Sequence, residues 1–240
     1  MASKLLQYHI ISCKYYDNEK ELKIIENLCN GFVDKTILEV GCGIGRLSSL
    51  ITQKGGIYTG LDSNKEFITY CKKKYKGLKF IKSSPDKLPF ENEQFDVLLY
   101  PWVLPDVKNI LPTLREGYRV LKKSGIVICV DGTFIGEYGI LIKEFFKKTR
   151  MHREFYFKIL RDSLISVFRN IQSFDLVKVP YVFPNLKLAA KEIIMELKYL
   201  EKLKLTKADE ERIKEKLEKF KLDDKVVINE TVAFHKCVKL

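Results

Sequence analysis

Nowhere in its 240 residues does the chain hold the run of roughly 18 to 20 uncharged apolar residues that a membrane-spanning helix needs. Its N-terminal stretch MASKLLQYHIISCKYY also lacks the long apolar core of a secretory signal. Both absences point to a cytoplasmic protein. There is no CxxC pair: Cys13, Cys29, Cys42, Cys71, Cys129 and Cys237 stand apart, and the three histidines are not clustered. A disulfide framework or a zinc site needs closer or more regular spacing. Free thiols in a reducing compartment, and no structural metal, are therefore expected. Arginine is scarce, at 8 of 43 basic residues. The net charge of +12 invites a nucleic-acid reading. Against it, arginine is the better bidentate partner for phosphates and bases. A Lys- and Glu-rich composition is equally what thermophilic ancestry or an AT-rich genome produces.

What is present is a regular alternation of strand and helix signals. Residues 18 to 30 place Leu22, Ile25, Leu28 and Cys29 at helical spacing. Thr36 to Val40 is a short β-rich run, Arg46 to Lys54 reads as a helix stopped by Gly55-Gly56, and Ile57 to Leu61 as a second strand. Lys65 to Lys76 is a second helix in this series and Leu78 to Lys82 a third strand. Phe95 to Leu99 is almost wholly apolar, as expected of a strand covered on both faces. A helix over about 110 to 123 and a strand over 126 to 130 follow. This pitch means βαβ units and a parallel, doubly wound sheet. In the last hundred residues we expect helices at about 136 to 149 and 162 to 171. A sixth strand at 174 to 182, a long Lys/Glu-rich helical region at 186 to 220 and a final strand from Lys225 to Val238 complete the reading.

The segment Ile37 to Gly45, ILEVGCGIG, leaves a strand and enters a helix. Glycines there let a ligand approach the backbone, and a helix N-terminus offers free amide hydrogens. The nicotinamide-cofactor fingerprint is G-x-G-x-x-G, and here the third glycine comes one residue early. Asp62 ends the second strand, 21 residues after Gly41. That position suits a carboxylate accepting from ribose hydroxyls. It equally suits a helix N-cap, since Ser63, Asn64 and Lys65 follow.

Four blocks, ILEVGCGIGRLSSLI, GLDSNKEFI, KLPFENEQFDVLL and REGYRVLKKSGIVI, resemble in order and spacing the class I S-adenosylmethionine-dependent methyltransferases, specifically the type 11 methyltransferase domain. The resemblance covers about residues 36 to 131. It implies a Rossmann-like α/β fold: a seven-stranded sheet whose last strand runs antiparallel between the fifth and sixth, under a helical cap. One domain over 1–240 is then expected, with a core at about 20–135, 173–183 and 224–240 and cap elements at about 136–171 and 184–222. The cofactor it implies is S-adenosylmethionine, leaving as S-adenosylhomocysteine. Glu39 would lie under the methionine end, Gly41, Cys42 and Gly43 would pack against the cofactor, and Asp62 with Ser63 would hold the ribose. The family's acidic adenine-binding position falls on Ser84, a departure, with Pro85 beside it. Tyr100 and Trp102, after the fourth strand, would stand near the sulfonium.

Tyr100-Pro101-Trp102 lacks the polar residue and second proline of the turn that receives amines in nucleobase-directed methyltransferases, which argues against exocyclic base amines. In-line methyl transfer needs alignment rather than a covalent enzyme intermediate. A general base helps only when the acceptor arrives protonated; Asp131, Tyr138 and His152 are the candidates, each with a structural alternative. Between residues 143 and 161, seven basic residues interleave with Phe145, Phe146, Phe155, Tyr156 and Phe157. This pattern suits an anionic or aromatic small substrate, RNA with stacked bases, a lipid-like substrate, or simply an amphipathic helix. A small or medium-sized acceptor under the cap is expected, with RNA as the alternative. A catalytically idle, methyltransferase-like binding subunit is a third reading, suggested by Ser84.

Overall fold

The computed structural model describes residues 2–133, 135–142, 145, 150–199 and 203–240, with the side chains at 150–154 and 199 outside the description. These residues gather into two compact units: a sheet unit, Glu19–Gly132, Met151–Val177 and Val232–Leu240, and a helical unit, Met1–Asn18, Thr133–Arg150 and Lys178–Thr231.

The sheet unit begins with α2 (Asn18–Leu28), which follows α1 (Lys4–Tyr15) of the other unit. Then β1 (Thr36–Val40), α3 (Ser48–Gln53), β2 (Ile57–Asp62), α4 (Lys65–Lys74), β3 (Lys79–Lys82), β4 (Phe95–Pro101), α5 (Ile110–Val120) and β5 (Leu121–Gly132) alternate as the sequence pattern predicts. Strand order is β3-β2-β1-β4-β5-β8-β6, where β6 is Ser173–Phe183 and β8 is Lys225–Val238. β1 pairs in parallel with both β2 and β4, and β8 runs antiparallel to β5, with Asp131 opposite Ala233. The expected antiparallel last strand is thus present between the fifth and sixth. An additional two-residue strand, β7 (Lys221–Leu222), only pairs back onto β8 in the helical unit.

Alternate residues along the central strands build one core layer. Leu38 and Val40, Leu98 and Tyr100, and Val127 and Cys129 face Leu114 of α5 and Leu160, Leu164 and Phe168 of α7 (Arg150–Phe168). Because the intervening residues Ile37, Val97, Leu99 and Ile128 are also fully buried, these strands read as continuous apolar runs.

Boundaries differ from the sequence pattern where hydrogen bonding overrides periodicity. α5 stops at Val120, because Leu121 already pairs with Phe95 and Gln94 N–H donates to the Val120 carbonyl at 2.7 Å. α3 opens only at Ser48, leaving 43 to 47 as turns. α7 begins well before the expected 162, and its inner face belongs to the sheet unit's core.

In the helical unit, α6 (Glu137–Ile142), α8 (Leu186–Tyr199) and α9 (Lys207–Leu217) surround a second core of Tyr138, Ile142, Phe183, Ile193, Leu197, Ile213 and Ile228. The single helical region expected at 186 to 220 is therefore two helices. α9 starts afresh at a capping box, in which Thr206 accepts from Asp209 N–H while the Asp209 carboxylate accepts from Thr206 N–H. α1 was not predicted from periodicity; Ser3 caps it by accepting from Leu6 N–H at 3.1 Å.

Candidate active site

The parallel strands end together in the sheet unit, and the loops leaving those ends carry most of the predicted residues. Ligands of open α/β sheets bind at such carboxyl ends. After β1, Gly41, Gly43 and Gly45 all take left-handed backbone angles, with φ of 75°, 52° and 71°. Two of these glycines differ in what surrounds them. A Cβ on Gly41 would meet Val103 at 2.3 Å, whereas a Cβ on Gly43 would meet nothing within 4 Å. The Gly43 side of the turn is open.

Gly41 and Cys42 N–H both donate to the Leu61 carbonyl, at 2.7 and 2.9 Å. These two amides are thus committed to holding the turn against β2. Cys42 is buried, and the Cys71 thiol donates to the Gly43 carbonyl at 3.3 Å. The hydrogen bond with Cys71, then burial, push the Cys42 thiol well above its ordinary pKa.

Asp62 Oδ2 accepts from Gly43 N–H at 2.9 Å and Oδ1 from Asn64 N–H at 2.8 Å. The α4 N-cap is Asn64, accepting from Glu66 N–H at 2.9 Å, so Asp62 is free of that duty. Burial raises the Asp62 pKa, and its backbone hydrogen bonds oppose the rise. A carboxylate has about four acceptor positions, so Asp62 keeps capacity for ligand hydroxyls. Ser63 beside it is exposed.

Glu39 is buried at the end of β1 and accepts from the Tyr58 hydroxyl at 2.5 Å. Burial pushes its pKa up to about 7, with the Tyr58 hydrogen bond and Arg46 acting against that rise.

After β3, Ser83 N–H donates to the Asp62 carbonyl at 3.1 Å, which ties this loop to the β2 end. Ser84 is exposed and its hydroxyl donates to Asp86; Pro85 lies between them. The same loop carries a carboxylate, Asp86, two residues after Ser84.

Tyr100 and Trp102 part company. The Tyr100 side chain is fully buried in the core, donating to the Thr113 carbonyl at 3.1 Å. From this position only the backbone lies at the strand end. Trp102 takes a left-handed φ of 60°, its N–H donating to the Val130 carbonyl at 2.7 Å and its indole N–H to Glu21 at 2.8 Å. Glu21 also accepts from Arg46 at 2.6 Å. Neither Glu21 nor Arg46 was singled out from sequence, although Glu21 shares a helix face with Ile25 and Leu28, where a charge needs a reason.

At the end of β5, the buried Asp131 accepts from the Tyr156 hydroxyl of α7 at 2.6 Å. Phe157 stacks on His235 at 6.3 Å between centroids, so these two aromatics of the basic-aromatic stretch turn onto the sheet unit itself, while Phe155 is exposed. Tyr138 lies in the helical unit, buried, with its hydroxyl on Glu196. His152 falls within α7, but its side chain lies outside the described residues, as do the side chains of Lys143, Phe146, Lys147, Lys148, Arg150 and Arg153.

A family model described as a methyltransferase domain matches residues 38–129. Over 101 residues the chain is 36% identical to phthiotriol/phenolphthiotriol dimycocerosates methyltransferase 1 of Mycobacterium ulcerans, a match covering 40% of this chain and 37% of that protein. It is 32% identical over 127 residues to the ubiquinone/menaquinone biosynthesis C-methyltransferase UbiE of Rickettsia prowazekii, covering 48% and 50% respectively. The matches thus span only about a third to a half of these curated relatives. Among solved structures, a phosphoethanolamine N-methyltransferase 2 of Haemonchus contortus, in complex with phosphomonomethylethanolamine and S-adenosylhomocysteine, shares the fold. Its TM-score is 0.55 and its identity 16%, over 92% of this chain and 52% of that one. With the β1 glycine turn and the antiparallel β8 in place, residues 38–129 are similar to the methyltransferase domain of the class I S-adenosylmethionine-dependent enzymes.

Proposed function

We propose that the chain transfers a methyl group from S-adenosylmethionine to a small or medium-sized organic acceptor. The observation that carries the reading is the Asp62 carboxylate held by Gly43 N–H beside the open face of the glycine turn. S-adenosylmethionine supplies, when bound, an electrophilic methyl group on a sulfonium, leaving as S-adenosylhomocysteine.

In this proposal Asp62 and Ser63 hold the ribose hydroxyls, and Ser84 with Asp86 meets the adenine amino group, the Asp86 carboxylate standing in for the family's acidic residue. Pro85 packs against the ring. Glu39 lies beneath the turn and, with a pKa near 7, offers its amino-acid end a carboxyl group steadied by Tyr58. Gly41, Cys42 and Gly43 contribute backbone. The Tyr100 backbone and the Trp102 indole, fixed by Glu21, border the β4 end. Asp131, oriented by Tyr156, is the base candidate best supported by its place at a strand end. The residues align partners and exclude water, and alignment of this kind supplies ~7 to 11 kcal/mol.

For the acceptor, the two curated relatives are named as a phthiotriol/phenolphthiotriol dimycocerosates methyltransferase and a ubiquinone/menaquinone biosynthesis C-methyltransferase, which supports a small organic molecule over RNA. In this reading the expected cap elements, about 136–171 and 184–222, belong to a single methyltransferase domain, although the inner face of α7 packs in the sheet unit's core. No helix among the described residues is long and apolar enough to cross a membrane.

Calorimetry with S-adenosylhomocysteine and NAD tests the cofactor, and radiolabelled transfer to extract split into RNA, protein, lipid and small-molecule pools tests the acceptor. The expected result is saturable binding of the sulfur ligand alone and label in the lipid or small-molecule pool. Label chiefly in RNA, with strong salt dependence, overturns the acceptor. Absence of cofactor binding overturns the enzyme in favour of an idle binding subunit.

A further inference from the structure

Within the helical unit, α1, α6, β6 and α8 bring together groups that the proposed transfer does not use. Tyr138 and Tyr181 stack at 4.9 Å between centroids with 23° between planes, and the Tyr138 hydroxyl donates to Glu196. Glu192 lies one turn earlier on α8 than Glu196, on the same helix face. It is fully buried, and neither of its carboxylate oxygens has a hydrogen-bond partner of normal geometry. The charged group acting on it is a second carboxylate, Glu196. Burial first, then Glu196, push the Glu192 pKa up to about 8, with the hydroxyls of Ser12 and Tyr8 pulling the other way. Tyr8 is buried against the same two acids, and Tyr181 faces Glu192, Glu196 and Glu230 together.

A buried carboxylate whose neighbouring hydroxyls form no hydrogen bond of normal geometry is costly, and a like-charged neighbour adds to that cost. A ligand that brings a positive charge removes both penalties at once. The cluster is not sealed from solvent: Ser12, Tyr181 and Glu196 are only half-buried. Among the described residues no group of three or more His, Cys, Asp or Glu side chains could hold a metal ion. Aromatic walls beside a carboxylate instead suit a weakly hydrated organic cation. We propose that the helical unit binds an organic ammonium ion, a protonated or methylated amine, with Glu192 as its counter-charge and Tyr8, Tyr138 and Tyr181 as its aromatic wall. Binding in this unit is independent of whether methyl transfer takes place.

The test is calorimetry on the full chain with tetramethylammonium and benzyltrimethylammonium chloride, against sodium chloride and the neutral tert-butanol. The quaternary ions should bind saturably and tert-butanol should not. Glu192→Gln should weaken the ions roughly ten-fold or more, as loss of a charge-assisted contact does. Glu215→Gln, at an exposed position on α9, should leave them unchanged. A thermal melt of Glu192→Gln and its affinity for S-adenosylhomocysteine establish that both units remain folded. Should that variant not fold, Tyr181→Leu at its half-buried position is expected to weaken the ions as well. No saturable binding to the wild type, equal binding of tert-butanol, or undiminished binding by either folded variant overturns the proposal. A Glu192→Gln protein that melts higher and binds no less ammonium means that Glu192 and Glu196 merely share a proton.

Discussion

The indole N–H of Trp102 donates to Glu21 Oε2 at 2.8 Å, while Glu21 Oε1 accepts from Arg46 at 2.6 Å. One buried carboxylate on α2 thereby joins the residue after β4 to the residue after the glycine turn. Glu21→Ala removes the partner of a buried charge, which costs roughly 3 kcal/mol, at the low end because the Arg46 side chain is 14% exposed and can rehydrate. Trp102 is the chain's single tryptophan, so its fluorescence reports the change directly. Urea unfolding should show the lost stability together with a shifted native emission. An unmoved spectrum and midpoint would show that the contact matters little.

Asp62→Ala and Asn64→Ala separate ligand binding from helix capping. Asp62→Ala should weaken cofactor binding by about 1.5 to 3 kcal/mol through lost charge-assisted hydrogen bonds. Asn64→Ala should cost about 1 kcal/mol of stability and leave cofactor affinity alone, because Asn64 is the side chain that caps α4. Thermal melts and calorimetry on both variants check this; equal cofactor losses in the two would contradict the division of roles.

Gly43→Ala meets no neighbour but must hold a left-handed φ, at a cost of about 1 to 2 kcal/mol. It should fold and bind S-adenosylhomocysteine poorly, its new methyl group lying on the open face. Gly41→Ala collides with Val103 in addition, so its melting temperature should fall further than that of Gly43→Ala. The reverse order of melting temperatures would refute this account of the turn.

Glu39 should make stability fall as pH rises from about 4.5 to 7. Its folded pKa is raised from an ordinary 4.5 to about 7, so across this window the folded state keeps a proton that the unfolded state has released. The stabilisation is full below pH 4.5 and lost through pH 7, about 3 kcal/mol in all. Glu39→Gln should flatten that slope in denaturation curves taken at several pH values. A slope unchanged by the substitution would assign the effect elsewhere.

Tyr100→Phe tests whether this side chain serves the core or the ligand. It should cost about 1 kcal/mol through the lost bond to the Thr113 carbonyl and leave cofactor affinity intact. Gly117→Ala should be worse, since its Cβ would lie 2.3 Å from the Tyr100 hydroxyl. A large drop in cofactor affinity for Tyr100→Phe would return the side chain to the ligand.

The sequence by itself determined the order of elements from β1 to β5, the glycine turn and the acidic end of β2. Those features are local: strand periodicity, left-handed positions that demand glycine, and a motif spacing set by one βαβ unit. It also carried the long final strand, since alternation over 225 to 238 needs no partner to be seen. Tertiary structure alone decided which faces these residues present. Tyr100 and Trp102, two residues apart, both looked like candidates; pleat alternation sent the first into the core under α5, and the positive φ at Trp102 turned the second toward Glu21. The N-cap role of Asn64 rather than Asp62, the early end of α5 at its pairing with β4, and the meeting of Glu192 with tyrosines from 184 residues upstream and 54 upstream rest on long-range contacts. Such contacts leave no local trace in the chain, because each partner on its own is an ordinary helix or strand residue.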